Sequence, residues 1–419
     1  MPGPALQFLE SLPRFAHDAD AYRPGLERVR RLLRVIGDPH LQYPSVHIAG
    51  TNGKGSTAAM VAAIGTAAGL RTGLHTSPHL VLITERMRID GAEASSEWLE
   101  STVSRFRQEL EEIGPSFFEA TVALSLLYFA EQEVDLAIVE VGMGGRLDAT
   151  NVLDPRVCVV TSIGWDHAEY LGNTLEAIAR EKAGIAKGEV TLLCGESDPA
   201  VRAAIADEAA ARGCRFEFVN AINEGNLSTP VRSYANLSLD LKGAHQMRNA
   251  ALAVRAAEIA FDPPEFAIRE GLAHTSRLSG LRGRTEVVQT RPLIMLDVAH
   301  NPDGVQAAIA AVDDARDPDG TLTVILGLMA DKDARGVADV LSRSPARIKA
   351  VELVGERSLG REKLEIVLAE AGARPSPLAA PTVSEALAAW RASAEERDAV
   401  LITGSHVTVA AFLTGGGPG

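Results

Sequence analysis

At 419 residues and 46% hydrophobic content the chain can bury a large core, and its length favours two domains over one. A formal net charge of −14 disfavours non-specific nucleic-acid binding, which depends on many phosphate contacts from clustered Lys and Arg. The longest apolar run, residues 120–130, contains Ser125 and is too short for a bilayer, and Met1-Pro2-Gly3-Pro4 has no basic region before an apolar one, so the expectation is a cytoplasmic protein without a membrane partner.

Residues 46–49, Val-His-Ile-Ala, are a predicted strand that opens into Gly50-Thr51-Asn52-Gly53-Lys54-Gly55-Ser56-Thr57 and an Ala-rich helix. Glycines let the backbone turn so that successive N–H groups face one anion, the helix start adds partial positive charge, and Lys54 adds a full one. The pattern is that of a phosphate cradle for ATP or GTP. Strict P-loop spacing would place glycine at 48 and Ser or Thr at 55, where the chain has Ile48 and Gly55, so the loop is a variant of that motif.

Further strands are predicted at 72–74, 134–141, 157–163 and 190–194 with helical material between them, the rhythm of a mainly parallel α/β sheet. Cys158, Cys194 and Cys214 show no paired spacing and are expected as buried thiols, not a disulfide framework or a zinc site. From 220 to 241 short alternating runs such as Leu237-Ser238-Leu239-Asp240-Leu241 predict a small appended antiparallel sheet. A second series, with strands at 292–297, 321–327, 350–354 and 399–404 and a helix at 384–392, predicts a Rossmann-like α/β domain. The expected boundaries are a first domain over 1–283, a linker over 284–290 and a second domain over 291–419, whose glycine-rich tail 415–419 is expected to be disordered.

In open α/β sheets ligands gather beyond the carboxyl ends of the strands. Three such ends are polar here: Thr76-Ser77-Pro78-His79, then Glu140 leading into a glycine-rich loop, then Thr161-Ser162-Ile163-Gly164-Trp165-Asp166-His167 ahead of a helix with Glu181-Lys182-Ala183-Gly184. A hydroxyl, a carboxylate and an imidazole at adjacent strand ends offer a site for a hard cation such as Mg²⁺ beside phosphates, the imidazole being the least usual ligand. Each residue alone has a plainer reading. Glu140 fits a buried carboxylate paired with Arg146, Lys182 a solvated helix lysine, Ser77 a cap before Pro78, and Phe117 and Phe118 core. His300-Asn301-Pro302 fits a helix start with Asn301 as cap.

Taken in order, the loop 50–56, Thr76-Ser77-Pro78-His79, Glu140 with Gly144-Gly145-Arg146-Leu147-Asp148-Ala149-Thr150-Asn151, Asp166-His167, Glu181-Lys182-Ala183-Gly184, His245-Gln246 with Asn249-Ala250, Gly283-Arg284, Asp297-Val298-Ala299-His300-Asn301-Pro302 and Asp331-Lys332-Asp333 resemble the folylpolyglutamate synthase/dihydrofolate synthase family of the Mur ligase superfamily. The resemblance implies a ligase that uses ATP to convert a folate carboxylate to an acyl phosphate, which the amino group of L-glutamate then displaces. It implies that Gly50, Thr51, Asn52, Gly53, Lys54, Gly55, Ser56, Asn249, Arg284, Asp297 and His300 contact ATP, with Lys54, Lys182, Asp297 and His300 catalytic. It assigns Ser77, Glu140, His167 and a carbamylated Lys182 to two Mg²⁺ positions, and Phe118, Glu119, Gly145, Arg146 and Asp148 to dihydropteroate or a reduced folate. It also implies a monomer whose second domain closes over the nucleotide.

Val298 and Leu281-Arg282 depart from the family, which has glycine and a Trp-Pro pair there. A Mur-type ligase for a different carboxylate substrate would carry a larger domain before the phosphate loop, where only about 45 residues stand. A nucleotide-dependent NTPase switch would have no use for Asp297 and His300.

Overall fold

The computed structural model describes residues 3–14, 25–166, 168–355, 357–377 and 380–415. The chain separates into two compact units, Met1–Asp240 with Met247–Leu281, and Leu241–Gln246 with Arg282–Gly419.

The first unit is built on eight strands, β1 (Ser45–Ala49), β2 (Thr72–His75), β3 (Met87–Ile89), β4 (Ala92–Glu93), β5 (Leu136–Glu140), β6 (Val157–Val160), β7 (Thr191–Cys194) and β8 (Arg215–Phe218), in the order β4-β3-β2-β5-β1-β6-β7-β8. All neighbours from β2 to β8 pair in parallel, and β3 and β4 add an antiparallel edge. Every residue of β1, β2, β5 and β6 is buried, which is why these strands appear in the sequence as continuous rather than alternating apolar runs. Register aligns Ile48 with Glu140 on one side and Ala49 with Val160 on the other. The loops that follow β1, β2, β5 and β6 therefore emerge at one edge of the sheet.

The helix Lys54–Ala67 follows β1 and is buried continuously from Gly55 to Gly65. Its small side chains suit an internal position, since another helix lies almost in backbone contact: a Cβ added to Gly271, in the helix Glu265–Ala273, would sit 2.7 Å from the Cα of Ile64. Cys158 and Cys194 are buried free thiols, and Cys214 is a half-buried one.

Three expectations change. Residues 237–241 form no strand; the antiparallel pair is β9 (Leu227–Ser228) with β10 (Ser233–Tyr234), a sheet of its own. The alternation at 237–240 reflects a loop that buries Leu237 while Asp240 accepts the Ser276 N–H at 2.8 Å. Segment 284–290, expected as linker, contains a strand, and residues 241–246 group with the second unit. The strand expected at 350–354 lies earlier, over Arg347–Ala350; its two basic residues hid it, although Lys349 is buried, whereas Val354 is 96% exposed.

Among the described residues the second unit has six strands, β11 (Glu286–Thr290), β12 (Leu293–Leu296), β13 (Leu322–Leu326), β14 (Arg347–Ala350), β15 (Arg374–Pro375) and β16 (Ala399–Thr403), ordered β11-β12-β16-β13-β14-β15. Only the β11–β12 pair is antiparallel. Its core gathers Met295, Val305, Val312, Val324, Leu341 and Leu401. Asn301 caps the helix Pro302–Ala315 by accepting the Gly304 N–H at 2.8 Å, with Pro302 in the first turn. The tail 416–419 lies outside the described residues.

Candidate active site

After β1 the chain turns through Gly50 (φ 146°) and Gly53 (φ 87°), a backbone region that side chains disfavour. Space makes the same demand: a Cβ on Gly50 would lie 1.9 Å from Thr161 Oγ1, and one on Gly53 2.4 Å from Asn249 Oδ1. The loop beyond β6 pins this turn. Thr51 N–H donates to Ser162 O at 2.6 Å, the Thr161 and Ser162 hydroxyls donate to Asn52 O at 2.7 and 3.1 Å, and Gly164 N–H donates to Thr51 Oγ1 at 3.0 Å. Ending β6 at Val160, short of the expected 163, frees these residues for that task. The first-turn N–H groups of the helix Lys54–Ala67 have no carbonyl within the helix to receive them, which is the condition for anion binding.

Two lysines converge on this turn. Lys54 Nζ donates to Gly50 O at 3.0 Å and Thr51 O at 3.1 Å, and Lys182 Nζ donates to the same Gly50 O at 3.0 Å. Lys182 is 4% exposed, not a solvated helix lysine. Burial, and then the Lys54 charge, push its amine down to about 7 against the opposing pull of Asp166, Asp148 and Glu181.

At the neighbouring strand ends Ser77 N–H donates to Glu140 Oε2 at 3.0 Å, and Glu140 is 3% exposed. Arg146 turns instead to Glu181 at 3.4 Å and Glu208 at 2.9 Å. Its N–H donates to Glu181 O at 3.0 Å, and a Cβ on Gly145 would come within 2.6 Å of Lys182 O, so this loop seats on the end of the helix Leu175–Ala183 and covers Lys182. Asp148 Oδ2 accepts from Met143 N–H at 2.9 Å and Oδ1 accepts from Thr150 N–H at 2.9 Å and from the Thr150 hydroxyl. Burial raises the Asp148 carboxyl and these bonds pull it back.

Phe118 lies across Gly142, where a Cβ would sit 2.3 Å from its Cζ. Glu119 is occupied: its Oε2 accepts the Ser116 N–H at 2.8 Å as part of a capping box and the Arg28 Nε–H at 3.1 Å, which gives it a structural use the sequence assignment to substrate lacked. His167, expected as a metal ligand, lies outside the described residues. Among the described residues no set of three or more His, Cys, Asp and Glu side chains gathers as a metal cluster. Glu140 and Ser77, on adjacent strand ends, are oxygen donors of the kind Mg²⁺ prefers.

In the second unit Asp297 follows β12; its Oδ2 accepts the Thr285 N–H and its Oδ1 the Ala299 N–H, both at 2.8 Å. Burial raises its carboxyl against the pull of Arg284 and these two N–H groups, and burial lowers the nearby His245 against the pull of Asp297. His300 Nδ1 lies 2.9 Å from Val298 O. Val298, which departs from the family, is buried, and its N–H donates to Gly283 O at 3.0 Å. Sequence reasoning missed Thr161 and Ser162 as loop supports and His47, whose Nε2 lies 2.8 Å from the Thr150 hydroxyl that donates to Asp148. Strand-end hydroxyls beside the phosphate loop were the available signal for the first two; nothing local marks the third.

Residues 48–257 match the Mur ligase middle domain family, and residues 283–406 match the family described as Mur ligase, glutamate ligase domain. The dihydrofolate synthase/folylpolyglutamate synthase of Escherichia coli (strain K12) is 33% identical, aligned over 97% of this chain and 93% of that protein. A probable bifunctional folylpolyglutamate synthase/dihydropteroate synthase of Haloferax volcanii is 35% identical over 98% of this chain, which spans 50% of that longer protein. The structure of E. coli FolC in complex with DHPP and ADP aligns with a TM-score of 0.86 at 33% identity, covering 98% of this chain and 97% of that one. A bifunctional folylpolyglutamate synthase/dihydrofolate synthase with Mn, AMPPNP and L-glutamate bound aligns with a TM-score of 0.85 at 32% identity, covering 99% of each. With both domain families matched and near-complete alignment to these relatives, the chain belongs to the folylpolyglutamate synthase/dihydrofolate synthase family of the Mur ligase superfamily.

Proposed function

We propose that the protein is an ATP-dependent ligase that joins the amino group of L-glutamate to a carboxylate of dihydropteroate, of tetrahydrofolate, or of both. The convergence of Lys54 and Lys182 on the Gly50 carbonyl, beside the N-terminus of a buried helix, is the observation that carries this reading. Lys54 puts a positive charge where ATP phosphates would dock, in a chain whose net charge is −14, and Lys182 stands directly beside it. The ADP, AMPPNP and L-glutamate held by relatives of the same fold support it.

Lys54 and the loop N–H groups hold the transferring phosphate. An acceptor carboxylate oxygen attacks the γ-phosphorus as the bond to ADP breaks, giving an acyl phosphate, and the glutamate nitrogen then attacks the acyl carbon, expelling phosphate and losing a proton. Activation is required because a carboxylate is a poor electrophile. Positioning and charge neutralisation supply most of the rate in phosphoryl transfer. Ser77 and Glu140 would hold Mg²⁺, which supplies neutralisation of phosphate charge; His167 and a second metal position rest on the family resemblance. Lys182 is a buried amine beside another lysine, a costly place for an ammonium. Attack of its neutral nitrogen on CO₂, with loss of a proton, replaces the like charge with an opposite one, and a carbamate is the form we assign to it. Arg284, Asp297 and His300 are assigned to the nucleotide, and the working form to a cytoplasmic monomer.

The test is ADP release from MgATP with dihydropteroate plus L-glutamate, tetrahydrofolate plus L-glutamate, and each mixture without glutamate. We expect release that requires both acceptor and glutamate. Turnover with one acceptor only would name which synthase activity the protein has, and release indifferent to every acceptor would make it an NTPase.

A further inference from the structure

Two guanidinium groups share one phenylalanine in the first unit. Arg14 Cζ lies 4.3 Å from the centre of the Phe117 ring and Arg86 Cζ lies 5.2 Å from it. Arg86 is 6% exposed and its Nε–H donates to His79 Nδ1 at 2.9 Å, so His79 serves as a neutral acceptor. The stretch before Arg14 is anchored, since Phe117 N–H donates to Pro13 O at 2.9 Å, and Arg14 Nε is buried without a partner.

Glu85, next to Arg86, and Glu119, two positions after Phe117, are spent elsewhere. Glu85 accepts the N–H groups of Leu80, Val81 and Leu82, each at 2.7 Å, and Glu119 pairs with Arg28 at 3.1 Å. Among the described residues neither Arg14 nor Arg86 has a carboxylate within ion-pair distance. Like charges crowded against an apolar ring are costly, and the guanidinium fork matches a carboxylate in two-point contact. The pair also borders the site already described: His79 stands two residues after Ser77, Phe118 covers Gly142, and the Glu140 charge reaches Arg86.

We infer that Arg14 and Arg86 bind a carboxylate of the acceptor that keeps its charge throughout the reaction, the α-carboxylate of a folate's glutamate tail. This rests on the ligase reading above. The carboxylate being phosphorylated must give up its charge, and a fixed cation pair gripping it would favour the ground state over the transition state. A carboxylate that remains an anion has no such conflict. Dihydropteroate has no second carboxylate, so the pair serves the folate acceptor.

The experiment compares tetrahydrofolate with its α-carboxamide analogue as acceptor, using the full chain as wild type, Arg14→Gln and Arg14→Lys. Arg14 is half-buried near the described N-terminus, and an unchanged KM for ATP verifies that each variant keeps its site. In the wild type the amide should raise KM about tenfold or more, the worth of a charge-assisted contact. Arg14→Gln should raise KM for tetrahydrofolate by a similar factor and treat acid and amide alike, while Arg14→Lys, keeping charge without the fork, should fall between. A wild type indifferent to the amide, or an Arg14→Gln variant that retains the full preference for the acid, overturns the assignment. Absence of glutamate-dependent turnover in the wild type would instead overturn the ligase reading itself.

Discussion

His47 sits at the centre of β1 with its protonation dictated by its neighbours. The Thr150 hydroxyl spends its hydrogen on Asp148 Oδ1, so the 2.8 Å contact between His47 Nε2 and Thr150 Oγ1 has the imidazole as donor. Burial first, then the charges of Lys187 and His75, hold the ring down to about 3. Between that value and the ordinary 6.5, the unfolded chain takes up a proton that the native chain refuses, so stability falls as pH drops through the window, by up to about 1.4 kcal/mol per pH unit. His47→Gln keeps a donor for Thr150 and removes the titration. Urea midpoints at neutral pH and near pH 5 should show the wild type losing about 2 kcal/mol more than the variant, and equal losses would refute the account. His47 was invisible as a partner of the Asp148–Thr150 pair because only the fold brings it to Thr150. Arg14, Arg86 and Phe117 met in the same way, across some hundred positions of chain. Lys54 was legible because its whole cradle is contiguous. Lys182 was legible as a position but not as a buried amine, since the loop that covers it comes from the end of a different strand.

The helix Lys54–Ala67 is continuous with the glycine loop after β1, because its first residue is Lys54, which bonds that loop's carbonyls. On the other side it meets the helix Glu265–Ala273 so closely that a Cβ on Gly271 would stand 2.7 Å from both the N and the Cα of Ile64. Backbone cannot move aside as a flexible side-chain tip would. Gly271→Ala should therefore cost about 1–3 kcal/mol, read as a lower urea midpoint with an unchanged slope, and should raise KM for ATP by tilting the cradle. A variant within about 0.5 kcal/mol of wild type would show that the helices separate freely. The parallel strands were legible because burial on both faces leaves an uninterrupted apolar run. Arg347–Ala350 was not, since Arg347 and Lys349 interrupt that signal, and the alternation at 237–240 mimicked a strand while serving a loop.

Each unit has its own sheet and its own hydrophobic core, the condition for separate unfolding. Chain length and the two α/β rhythms carried the expectation of two domains, whereas the net charge said nothing about a turn that gathers two lysines. Tryptophan placement makes the division measurable, since Trp98 and Trp165 belong to the first unit and Trp390, 4% exposed, belongs to the second. A chain retaining only Trp390, by Trp98→Phe and Trp165→Phe, reports the second unit by fluorescence, while calorimetry reports both. We expect two calorimetric transitions, one of which coincides with the Trp390 signal. MgATP should raise the other, which contains the glycine loop, by about 2.7 kcal/mol at a hundredfold excess over its dissociation constant. Lys54→Ala should leave both transitions where they stand without ligand, because the side chain bonds only two loop carbonyls and fills no core, yet it should abolish the MgATP shift. A shift that survives Lys54→Ala would place the nucleotide elsewhere, and a single transition tracked by Trp390 would show that the two cores unfold as one.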